Sequence, residues 1–144
     1  MFIVFVLLAG CRNNNPYGTI PVSGTIKLDG QPIGGVHVTF LPVSAGKMEA
    51  FGMTIQDGSF VLSTGGAKFG NGAQPGEYHV IFSKTDIEDK YKIDKKDDVS
   101  ALPFLAPIIH LIPEKYNNLS TSGIAPVKVE KNKKNIFGFD LSTK

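Results

Sequence analysis

Tryptophan is absent from the chain, and arginine and cysteine each occur once, at Arg12 and Cys11. A single Cys excludes an intrachain disulfide, a Cys2His2 zinc finger and a CxxC redox pair. Without Trp, the strong stacking platform of many sugar-binding modules is missing, although Tyr and Phe can substitute for it. No apolar run reaches the roughly 20 residues that cross a bilayer as a helix. Neither sign of charge dominates: 15 Lys and Arg stand against 13 Asp and Glu, a net charge of +2. That balance gives no reason to expect nucleic acid as a partner. What is present is enough for a core, since 42% of the 144 residues are hydrophobic, too many for a disordered chain. The length suits one domain. The 16 Gly and nine Pro exceed the average share and point to many turns.

Phe2 to Leu8 is an uninterrupted apolar run, followed by Ala9, Gly10 and Cys11. Eight or nine apolar residues span only about 13 Å as a helix, and a short run that ends in small residues reads as the h-region and cleavage site of a secretory signal. Leu8-Ala9-Gly10-Cys11 resembles the lipobox of bacterial lipoproteins, an aliphatic residue, two small residues and an obligatory Cys. The resemblance implies that the Cys11 thiol is diacylglyceryl-modified, that residues 1–10 are cut off as a signal peptide, and that the new amino terminus is acylated. The chemistry suits these residues, because a thiol is readily alkylated and small neighbours let a protease reach the backbone. A signal normally opens with Lys or Arg, whereas only Met1 and Phe2 precede this run. That departure implies a start further upstream or a shortened signal. Residues 11–18 are polar and breaker-rich and read as a flexible tether, with the folded part expected over 19–144.

From Ile20 onward the apolar residues alternate with period two, separated by turn residues. Val22, Gly24, Ile26 and Leu28 form one row, closed by an Asp29-Gly30 turn. Val36, Val38 and Phe40 form the next, with His37 and Thr39 opposite and Pro42 as a stop. Phe51, Met53 and Ile55 are expected to follow as a third apolar row, and Asp57-Gly58 turns the chain into Phe60 and Leu62. Tyr78, Val80 and Phe82 come next, and then Val127, Val129, Phe137, Phe139 and Leu141. About seven short strands with no helical stripe predict an all-β chain, a seven-stranded Greek-key β-sandwich. An irregular insertion over 84–112 is expected before the last two strands. Its first part is densely and evenly charged, and residues 101–113 carry three prolines (103, 107 and 113), which forbid a regular helix. His110 is expected to pack there beside a proline turn.

Several stretches carry a family resemblance. Pro21-Val22-Ser23-Gly24-Thr25-Ile26 with Leu28-Asp29-Gly30-Gln31-Pro32-Ile33 resembles the opening of the carboxypeptidase-regulatory-like, or transthyretin-like, domain. Gly52 to Phe60 resembles that family's second hairpin, and Pro75-Gly76-Glu77-Tyr78-His79-Val80 its next strand. Ile112-Pro113-Glu114-Lys115-Tyr116-Asn117 with Thr121-Ser122-Gly123 resembles a group of short bacterial lipoproteins built on this one domain. The resemblance covers roughly 20–83 and 112–141, and it implies a fold and a location but no general activity.

Candidate chemistry is sparse. His37 and His79 sit in strands opposite the apolar rows and are the only candidates for a shared metal, yet two His without a carboxylate make an incomplete site. The charged residues between Asp86 and Asp98 lack the spacing and the glycine of a calcium loop, and the interleaved Lys would compete with a cation. Neither the His-x-His pair of intradiol dioxygenases nor the Tyr-Arg-Gly-Ser tail of hydroxyisourate hydrolases is present. No nucleophile elbow occurs. The expectation is therefore a non-enzymatic protein with no cofactor, anchored in the bacterial cell envelope and facing the periplasm or exterior. Its expected partners are the membrane through acylated Cys11, the lipoprotein-processing enzymes, and an envelope protein or glycan. The alternative is a module binding a carbohydrate or metal on the outer face of the sandwich.

Overall fold

The structure is a computed structural model, and it describes residues 15–65, 69–87 and 107–144. Those residues form eleven strands: β1 (Val22–Leu28), β2 (Gln31–Pro32), β3 (His37–Pro42), β4 (Ala50–Met53), β5 (Ser59–Val61), β6 (Ser63–Thr64), β7 (Gly76–Ser83), β8 (Thr85–Ile87), β9 (Ile108–His110), β10 (Val127–Val129) and β11 (Asn135–Leu141). The only helical element among them is a 3-10 helix over Glu114–Asn117. The chain is thus mostly β, as the alternating pattern predicts, and its sheets are arranged like a sandwich.

One sheet has four strands centred on β1. β11 runs parallel to β1 along its whole length, with Val22 opposite Asn135 and Leu28 opposite Leu141. The other side of β1 is shared, with β5 alongside Ser23–Thr25 and β2 alongside Lys27–Leu28, both antiparallel. The second sheet has five strands in the order β10-β7-β3-β4-β6. The turns follow their residues. Asp29 and Gly30 both have positive φ (49° and 83°), the combination that a two-residue hairpin needs for its twist. At the next turn Asp57 accepts from the Ser59 amide (2.8 Å) and hydroxyl (2.6 Å), which fixes the chain's reversal into β5.

Aromatic rings join the two sheets. Phe40, from the five-stranded sheet, lies 5.8 Å from Phe137 and 6.4 Å from Phe139 in the four-stranded one. Phe82 approaches Phe139 edge-on at 4.9 Å, and Phe60 stacks on it at 6.4 Å. Ile26, Val36, Val38, Leu62, Tyr78 and Val80 fill the space around these rings and are all buried. The inward rows expected of β1, β3, β7 and β11 are those observed.

β4 reverses its expected parity. Phe51, Met53 and Ile55 are 49%, 56% and 64% exposed, whereas Ala50 and Thr54 are buried. The reason is room. A Cβ on Gly52, on the same side as Ala50 and Thr54, would lie 2.6 Å from the Val61 carbonyl oxygen of β5. Only small residues fit beneath that crossing, so the large ones turn outward. Thr54 compensates for its burial with two side-chain bonds: its hydroxyl accepts from the Val36 amide (2.9 Å) and donates to the Ile33 carbonyl (2.7 Å).

The ends of the expected insertion are ordered as a pair. β8 and β9 form a separate two-stranded antiparallel sheet with Thr85 opposite His110. His110 is exposed, with a Glu114 carboxylate oxygen 4.0 Å from its Nε2, so it does not pack as expected. Three residues in a row (Ile108, Ile109 and His110) are exposed. Residues 88–106, the centre of the insertion, lie outside the described residues.

The Ile112–Asn117 block closes the far end of the body. Ile112 and Tyr116 are buried, and the Tyr116 hydroxyl accepts from the Ser142 amide (2.8 Å) and lies 3.2 Å from the Ser142 carbonyl. One residue on, the Thr143 amide and hydroxyl donate to Asp29 at 3.1 and 2.6 Å. These bonds hold the Asp29 carboxyl below its usual value of 3.8. A lowered folded value favours the folded state above the ordinary carboxylate range, and that advantage is lost as pH falls through the folded value. Asp29→Asn should therefore narrow the stability gap to wild type as pH drops below 3.8. A gap measured by urea unfolding that stayed constant from neutral pH into that acid range would show that the Thr143–Asp29 bonds do not stabilise the fold.

Candidate functional site

The outer surface of the four-stranded sheet bears large apolar side chains at the end where β1 begins. On that face β1 presents Ser23 and Thr25, β5 presents Ser59 and Val61, and β11 presents Ile136. Ser23 pairs with both Ile136 and Val61, so these three side chains form one cross-strand row. Met53 and Ile55 join from the outward-turned β4 segment, and Phe69 joins from the loop before Gly70. Together they wall an open hollow of about 460 Å³. A second hollow of about 440 Å³ continues from it past Pro21 to Lys133, Lys134 and Asn135, sharing Ser23, Val61 and Ile136.

These side chains are conspicuously bare, with Phe69 at 83%, Ile136 at 67% and Val61 at 39% exposed. Among the described residues no carboxylate lines either hollow. The basic rim comes from the loop between β10 and β11, where Lys131, Lys133 and Lys134 accompany Glu130. Asn135 shapes that loop. Its buried side chain accepts from the Glu130 amide (2.8 Å) and donates to the Glu130 and Lys133 carbonyls (both 3.1 Å). Asn132 takes a positive φ of 65° within it. Lys133 pairs with Glu130 at 2.9 Å, and this bond holds the Glu130 carboxyl below its ordinary value. Lys131 and Lys134 are exposed.

The chain enters the body at this same end. Ile20 and Ala73 exchange backbone bonds of 2.9 and 3.0 Å just before Pro21 reaches the hollow. Upstream, the Asn15 side chain brackets Thr19, donating to its carbonyl (2.6 Å) and accepting from its amide (3.1 Å). Gln74 donates to the Tyr17 carbonyl at 3.0 Å. The last part of the segment expected as a tether is therefore already tied to the body.

The other sequence candidates behave differently. β3 and β7 are neighbours and point His37 and His79 to the same outer face, but His37 lies opposite Ser83 and His79 opposite Leu41. The rings are thus four positions apart along the sheet, roughly 13 Å, and side chains standing upright do not close that distance. Among the described residues no three His, Cys, Asp or Glu gather as a metal site. Leu8, Ala9, Gly10 and Cys11 lie outside the described residues.

Comparison of the chain with protein-family models, with curated proteins and with solved structures returns no match.

Sequence reasoning missed the apolar hollow. Its signal at Ile136 was parity: with Phe137, Phe139 and Leu141 facing inward, Ile136 has to face out. Phe69 carried no comparable signal, since it lies in a glycine-rich loop without periodicity.

Proposed function

We propose that the protein is a lipid-anchored component of the bacterial cell envelope, without enzymatic activity, acting through surface contacts and facing the periplasm or exterior. The observation that carries this reading is Leu8-Ala9-Gly10-Cys11 at the end of a short apolar run, the sequence pattern of lipoprotein maturation. The β-rich body supports it, since a folded module begins only four residues after Cys11, with the Asn15 turn. We further read the body as a Greek-key sandwich of the transthyretin-like kind. The opposed sheets and the return of the last strand to the side of the first favour that reading.

Two or three acyl chains on Cys11 would hold the protein firmly on a membrane, since each buried CH2 contributes about 0.8 kcal/mol. Expressed in a bacterial host supplied with radioactive palmitate, the wild-type chain should incorporate label and partition into detergent. Cys11→Ser should do neither. A Cys11→Ser chain that takes up label as wild type does would sink the proposal.

A further inference from the structure

We propose that the outer end of the four-stranded sheet, with its two joined hollows, rests directly on an anionic phospholipid surface. The proposal deepens the lipid-anchor reading and rests on it. Three observations converge. The first is a cluster of exposed apolar side chains, Met53, Ile55, Val61, Phe69 and Ile136, larger than single surface residues need to be explained. The second is charge: Lys133 and Lys134 line the second hollow, exposed Lys131 lies in the same loop, and among the described residues no carboxylate lines either hollow. Apolar groups that enter the headgroup layer beneath a basic rim form the usual pattern of an interfacial surface.

The third observation is reach. Cys11 precedes Asn15 by four residues, at most about 14 Å of extended chain, and Asn15 is fastened to Thr19 and through Tyr17 to Gln74. The strand then passes Ile20 to Pro21, which lines the second hollow. An acyl group on Cys11 therefore leaves the body little freedom to stand away from the bilayer, and the end of the sandwich that carries the hollows is the end beside the anchor. The opposite end, where Tyr116 meets Ser142, is turned away from the lipid.

The absence of Trp makes a clean test possible. The full chain with Cys11→Ser, which cannot be acylated, receives one Trp, either Phe69→Trp in the hollow or Leu119→Trp beside the 3-10 helix. With phosphatidylglycerol vesicles, the emission of the Phe69→Trp chain should move to shorter wavelength, and that of the Leu119→Trp chain should not. Adding Lys131→Ala and Lys134→Ala should weaken the Phe69→Trp response roughly 30-fold, from about 1 kcal/mol per basic residue near a charged surface. Raised salt should weaken it as well. Equal shifts at both positions, or none at Phe69, would overturn the proposal. So would a shift that grows with protein concentration without vesicles, which would assign the face to a second copy of the chain. The palmitate experiment separates the two readings: loss of the anchor with the Phe69 response intact removes Cys11 alone, and the reverse removes this face.

Discussion

Phe40→Ala should lower the unfolding free energy by about 3–5 kcal/mol. The ring is fully buried and contacts Tyr78 in its own sheet at 5.8 Å while facing Phe137 and Phe139 across the core. Truncation removes the contact between the sheets and leaves a void that β-sheets cannot collapse to fill, because their strands are held by paired backbone bonds on both sides of β3. Against a typical stability of about 5–15 kcal/mol, that is roughly a fifth of the total or more. Phe40→Leu keeps much of the volume and should lose markedly less. Urea unfolding followed by far-ultraviolet circular dichroism reads both, since the chain has no Trp to report. A loss below about 1 kcal/mol for the alanine variant would mean that Phe40 does not join the two sheets.

Gly72→Ala should be comparably severe, for a different reason. Gly72 has φ +86°, a left-handed conformation that costs an L-residue about 1–2 kcal/mol. Its Cβ would also lie 1.7 Å from the Ile20 carbonyl oxygen and 2.9 Å from the Pro21 Cα. Backbone, not a flexible side chain, stands in the way. The Ile20–Ala73 bridge has to open, and the bonds from the Gly72 amide to Leu62 (2.9 Å) and from Thr64 to the Gly72 carbonyl (2.8 Å) are strained with it. A loss of about 3 kcal/mol or more follows from the two costs together. Gly30 provides the contrast: its φ is +83°, but nothing lies within 4 Å of its Cβ position. Gly30→Asn should cost less than about 1 kcal/mol. Amide exchange should show the difference in place, with Ile20 and Ala73 losing protection in Gly72→Ala only. Protection there as strong as in wild type would show that the first residues of the body are fastened by something other than this bridge.

Large alternating residues made most of the fold legible before any coordinates. In β1, β3, β7 and β11 the apolar side chains are also the ones with space to occupy, so parity and burial agree. They disagree in β4, where the close approach of the Val61 carbonyl to Gly52 makes size decide against hydrophobicity. Nothing local in Phe51, Met53 or Ile55 announces a neighbour that arrives six to ten residues later. The pairing of β1 with β11 was equally out of reach, because a parallel register between distant segments is set by tertiary packing and not by turn chemistry. The candidate site divides in the same way. Cys11 is legible because its signal lies in four contiguous residues. The apolar face is composed of single outward residues from β4, β5 and β11 and from the segments that carry Ile55 and Phe69, and only the fold assembles them.

The parallel β1–β11 pair also sets when the molecule can form. β1 emerges from the ribosome first and remains without its parallel neighbour until β11 has been made, with every other strand lying between them in sequence. Hairpins such as β1–β2 can close early, on a timescale of about 1–10 μs, but closing the loop that joins β1 to β11 carries the larger entropy cost. A topology dominated by such distant pairings folds in roughly milliseconds to seconds. Completion of the four-stranded sheet thus waits for β11, and until that strand docks Phe40 and Phe82 lack Phe137 and Phe139 as opposing rings.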